Sequence, residues 1–70
     1  MSATIRVLVN GQEREIPAGS SVAWLRGEVG LSQTPCAAEV NKELVPVRKQ
    51  AETTLRDGDT VELVTLVGGG

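Results

Sequence analysis

Histidine, phenylalanine and tyrosine are absent from this 70-residue chain, and cysteine and tryptophan occur once each. Without histidine the commonest general base and an imidazole metal ligand are missing, and a lone cysteine can complete neither an internal disulfide nor a Cys/His zinc site. The carboxylates stand mostly at alternating or turn positions and do not converge in sequence, so paired-carboxylate catalysis is poorly supplied too. Trp24 alone provides no platform for stacking bases, and a formal net charge of -2 offers no phosphate-binding face, which excludes nucleic acid as an expected partner. No apolar run approaches the length of a membrane span, and Met1-Ser2-Ala3-Thr4 leads into a strand pattern without the basic and apolar regions of an export signal. The expectation is a cytoplasmic chain with no membrane partner, monomeric when free, that serves other proteins as substrate or partner and is not an enzyme.

What the chain does have is aliphatic. Nineteen Val, Leu and Ile residues must build the core of one small domain, by strands as much as by helix. Thr4 to Val9 alternates, with Ile5, Val7 and Val9 on one face, and Asn10-Gly11 is the strong signal for a two-residue hairpin. Gln12 to Ile16 should return as a charged edge strand. Pro17-Ala18-Gly19 ends it, and Ser20 or Ser21 can cap a short helix from Val22, with Val22, Leu25 and Val29 on one arc, Trp24 and Glu28 opposite, and Gly30 as its stop. Cys36 to Val40 and Glu43 to Val47, the second containing Pro46, read as a further hairpin around Asn41-Lys42, which lacks the usual glycine. Arg48 to Leu55 reads as a crossing segment with one helical turn, anchored by Leu55. Asp57-Gly58-Asp59 is a turn whose aspartates should bond to local backbone, and it launches a last strand, Thr60 to Val67.

That strand empties into Gly68-Gly69-Gly70. A glycine triplet carries no Cβ, so it can lie in a channel too narrow for any side chain and deliver the Gly70 carboxylate to an enzyme. The competing reading is a frayed terminus or a linker remnant. Val64, Leu66 and Val67 lie just before the glycines and form a candidate docking patch, in competition with burial in a central strand. Cys36 reads as a small core hydrophobe and not as a sulfur carrier. Trp24 is either an interface anchor or a cover for the core edge.

The order of Asn10-Gly11, the capped helix at Ser21-Val22-Ala23-Trp24-Leu25, the segment Glu39-Val40-Asn41-Lys42-Glu43-Leu44-Val45-Pro46, the strand from Asp57-Gly58-Asp59 to Val64, and the ending Val67-Gly68-Gly69-Gly70 resembles the ThiS-type sulfur carrier proteins of thiamine biosynthesis. Two features depart from the family pattern, Asn41-Lys42 where Asn-Gly is common, and Trp24 and Gly27 on the helix surface. The resemblance implies an α+β, ubiquitin-like β-grasp fold, a mixed four- to five-stranded sheet packed on one helix, with the first and last strands as central neighbours. Residues 1–67 would form the domain and 68–70 a flexible tail. It further implies that an E1-like adenylyltransferase uses ATP and Mg²⁺ to adenylate Gly70, that a sulfur donor protein converts the adenylate to a thiocarboxylate, and that a thiazole synthase receives the sulfur. This chain would then bind no cofactor or metal and contain no catalytic residue. The small subunit of molybdopterin synthase, another biosynthetic sulfur carrier, and a ubiquitin-like modifier conjugated through Gly70 are the alternatives.

Overall fold

A computed structural model describes residues 3–65 of the chain. In chain order the elements are β1 (Thr4–Val9), β2 (Gln12–Pro17), α1 (Val22–Glu28), β3 (Cys36–Val40), β4 (Glu43–Val45), a 3₁₀ helix (Val47–Glu52) and β5 (Thr60–Thr65). The five strands form one sheet in the order β2-β1-β5-β3-β4. β1 and β5 are the parallel pair at its centre, while β1 with β2, β3 with β4 and β3 with β5 run antiparallel. The charged strand β2 lies at one edge, as its composition demands. The boundary expected between Val67 and Gly68 falls outside the described residues.

Alternation in the strands sets which face is covered. Val7, Val9, Ile16, Cys36, Ala38, Val45, Val61 and Leu63 are buried on one face of the sheet, and Val22 and Leu25 of α1 close over them with no exposed surface. Each of those two helix side chains contributes roughly 1.5–3 kcal/mol by leaving water, which is what holds a seven-residue helix that would not persist alone.

The helix ends are built as their residues suggest. Ser21 is the N-cap, its hydroxyl oxygen accepting the Trp24 N–H at 3.0 Å. Ser20 has a different task, donating its hydroxyl to the Pro17 carbonyl at 2.6 Å. At the other end Val29 is the C-cap and Gly30, at φ +85°, follows it. The Gly30 N–H donates to Gly27 O at 3.1 Å and the Leu31 N–H to Arg26 O at 2.8 Å, a Schellman closure that needs the left-handed glycine.

Three expectations require correction. β4 stops at Val45, because Pro46 cannot continue the ladder, and Val47 opens the 3₁₀ helix instead of ending the strand. That helix is six residues long, more than the single turn expected. In the Asp57-Gly58-Asp59 turn only Asp59 bonds locally, its carboxylate accepting Arg56 N–H at 2.8 Å; the Asp57 carboxylate accepts the N–H of Arg6 in β1, also at 2.8 Å. Asp57 therefore ties the approach to β5 onto β1.

Candidate functional site at the end of the last strand

β5 carries the chain towards its terminus, and its backbone is gripped along its whole described length. At its start the Asn41 N–H donates to Thr60 O at 2.7 Å, the Asn41 side-chain oxygen accepts Thr60 N–H at 3.0 Å, and its Nδ2 donates to the Asp59 carboxylate at 2.9 Å. Further along, the Asn10 side chain meets Leu63 twice: Oδ1 accepts the Leu63 N–H at 2.8 Å and Nδ2 donates to its carbonyl at 3.1 Å. On the other side β3 accompanies β5 to the pair Cys36 and Thr65. Both asparagines sit in hairpin turns at positive φ, 51° for Asn10 and 52° for Asn41. The sequence suggested them for turn geometry alone; their second role, as side-chain partners of a strand up to 53 residues away, carries no periodic signal.

The two faces of β5 differ. Val61 and Leu63 point into the core, while Val64 is 56% exposed on the open face, opposite Ala37 of β3. Burial in a central strand is thus not what Val64 does. Leu8 and Leu44 are exposed as well. Glu62 pairs directly with Glu39 across β5 and β3, two like charges that disfavour the sheet slightly and give this face a negative field. Trp24 stands on the solvent side of α1, 39% exposed.

Beneath the end of the strand lies a polar support that sequence reasoning missed. Gln50 of the 3₁₀ helix is 1% exposed; its Nε2 donates to the carbonyls of Cys36 at 3.3 Å and Val45 at 3.4 Å, and its Oε1 accepts from Arg26 at 3.0 Å. Arg26 also donates to Thr34 O at 2.8 Å and to Leu31 O, binding α1 to the loop that leads into β3. No buried side-chain nitrogen or oxygen is left without a partner among the described residues. The only signal available was the lack of any strand period in this polar segment. Cys36 itself is fully buried and free, the core position expected of it.

Among the described residues no group of three or more His, Cys, Asp or Glu side chains is placed to hold a metal ion, and no helix is long and apolar enough to cross a membrane. Leu66, Val67, Gly68, Gly69 and Gly70, on which the tail and most of the docking patch were expected, lie outside the described residues. What the described part provides is a central strand, anchored from both neighbours and aimed at that terminus.

Comparison with known proteins bears on the same residues. The sulfur carrier protein ThiS of Escherichia coli is 29% identical over 66 residues, which cover 94% of this chain and all of that protein. The crystal structure of the thiamine biosynthesis protein ThiS from Geobacter metallireducens superposes with a TM-score of 0.78 at 28% identity, over 94% of this chain and all of the other. A thiazole synthase from Paramagnetospirillum magneticum is 38% identical over 66 residues, 94% of this chain, although the chain spans only 20% of that protein's length. A match to the ThiS family extends over residues 7–70, and so includes the terminal glycines. The fold is a β-grasp, and the chain belongs to the ThiS family of sulfur carrier proteins, not to a family of catalysts.

Proposed function

We propose that the chain carries sulfur as a thiocarboxylate on Gly70 and delivers it for thiamine thiazole synthesis. An ionised carboxylate is a poor electrophile, because its charge is delocalised and oxide does not leave. An E1-like adenylyltransferase, holding ATP and Mg²⁺, activates it: a Gly70 carboxylate oxygen attacks the α-phosphorus, pyrophosphate departs, and an acyl-adenylate results. A persulfide on the sulfur donor protein attacks the acyl carbon and AMP leaves. A thiol then attacks the donor-side sulfur of the resulting acyl disulfide, forming a disulfide with the donor and releasing the Gly70 thiocarboxylate, from which the thiazole synthase accepts the sulfur.

The observation that carries this reading is the family match running through Gly70, together with a β5 anchored as far as Thr65. Acid, base and metal belong to the partners; this chain supplies reach and access. Gly68 and Gly69 form the slender approach. Exposed Val64 supports a docking patch continued by Leu66 and Val67, and the negative field around Glu39 and Glu62 suits a basic rim on the partner. The likeness of a thiazole synthase to 94% of this chain favours that enzyme as the sulfur acceptor. Deletion of Gly70 tests the reading: sulfur transfer should vanish while the melting temperature is unchanged, and retained transfer would exclude the terminus as the carrier.

A further inference from the structure

β1 and β5 are parallel neighbours, but their shared ladder is short. The Leu8 N–H donates to Asp59 O at 2.9 Å and the Asn10 N–H to Val61 O at 2.9 Å. The next rung needs an acceptor for Leu63 N–H and a donor for Leu63 C=O, and by then the β1 backbone has reversed at Asn10-Gly11 into β2. The Asn10 carboxamide, which has the same donor and acceptor as a peptide group, supplies both. Its orientation follows from its partners, because an N–H must meet the oxygen and a carbonyl must meet the nitrogen.

We propose that Asn10 is a positioning residue for the chemistry at Gly70, its side chain standing in for the missing continuation of β1 and setting the direction in which β5 leaves the sheet. The inference rests on the function proposed above. Few residues meet both demands of the position: φ of +51° favours glycine, asparagine, aspartate and histidine, and of these only asparagine carries its donor and acceptor on one carboxamide with the reach of a peptide group. Leu63 lies on the strand whose sequence runs on to Gly70, so the clamp acts on the last described rungs before that residue. A displacement of ~1 Å can cost ~100-fold in rate.

Asn41 provides the matched control. It has the same residue type, the same left-handed turn and a similar grip on β5, but at Thr60, the end remote from the terminus. Asn10→Gly and Asn41→Gly both keep the turn and remove the carboxamide. With the adenylyltransferase, Asn10→Gly should lower kcat for carrier-dependent ATP–pyrophosphate exchange by about tenfold or more, a larger change than any in KM, because no side chain of the docking patch is removed. Asn41→Gly should leave both constants unchanged at a temperature where both variants are folded. In the free chain, Asn10→Gly should speed amide exchange at Leu63 and lower the ¹⁵N order parameters of Val64 and Thr65, whereas Asn41→Gly should not. Wild-type kcat in Asn10→Gly, or equal losses in the two variants, would overturn the proposal. Should wild-type carrier itself fail to support exchange, the adenylation reading fails, and the amide measurements still decide whether Asn10 orients the strand: unchanged exchange and order parameters would reject it. Asn10→Asp, which keeps the turn but turns a second oxygen towards the Leu63 carbonyl, repeats the test if the glycine variant does not fold.

Discussion

The two hairpins solve one geometrical problem with different residues. Both are closed by two residues at positive φ, Asn10 and Gly11 at 51° and 83°, Asn41 and Lys42 at 52° and 71°. These are the values a type I′ turn requires to match the twist of its strands. Glycine reaches them freely, while lysine bears a steric cost of about 1 kcal/mol. In each hairpin the leading asparagine also holds β5, in a partly buried site for Asn10 and an exposed one for Asn41. What differs is where the grip falls: Asn41 fixes where β5 begins, and Asn10 fixes where it goes. The turn nearer the terminus has the residue pair without strain and the bonds less open to water.

Removing the asparagines tests this contrast most strongly. Asn10→Ala should cost about 2–3 kcal/mol, since it strains the turn and leaves two groups of Leu63 partly buried without partners. Asn41→Ala should cost about 1–2 kcal/mol, because water can replace its exposed bonds. Chemical denaturation of the pair measures the difference, and equal losses would break the comparison. Lys42→Gly should stabilise by up to about 1 kcal/mol by relieving the strain, seen as a higher denaturation midpoint with an unchanged slope. No gain would mean that lysine is held there without cost. The smallest effect should come from the helix between the hairpins. A Cβ at Gly27 would meet only the Ser32 Cβ, at 3.9 Å, so Gly27→Ala should gain at most about 1 kcal/mol of helix propensity, read from the same curves.

Much of this architecture was legible because it is periodic or local. The alternation of Ile5, Val7 and Val9 located β1, Asn10-Gly11 located its turn, and Ser21 with Gly30 bounded the helix region. The charged composition of β2 placed it at an edge, and the aliphatic core face of β5 was read correctly through Leu63. Illegible were the bonds that cross the fold. Asp57 to Arg6, Asn10 to Leu63 and Gln50 to Val45 and Cys36 join side chain to backbone between elements with no shared period, so nothing in the local sequence distinguishes these side chains from solvated ones. Gln50 was hidden further by its 3₁₀ helix, whose three-residue repeat is too short to show a pattern over six residues. Of the candidate site, Val64 and the strand that presents the terminus were both visible, and the alternation of β5 left open only whether Val64 was covered.

The contrast between the hairpins bears on the chemistry proposed at Gly70, and the central claim concerns one carbon atom. Intact and C-terminal peptide masses of the chain, after incubation with an E1-like adenylyltransferase of the kind proposed, ATP, Mg²⁺ and a persulfide donor, test it directly. Replacement of one oxygen by sulfur should appear on the peptide ending in Gly70, in the wild type and equally in Cys36→Ser, whose thiol site is sealed in the core. Sulfur found on Cys36, with Gly70 left as a carboxylate, would contradict the account.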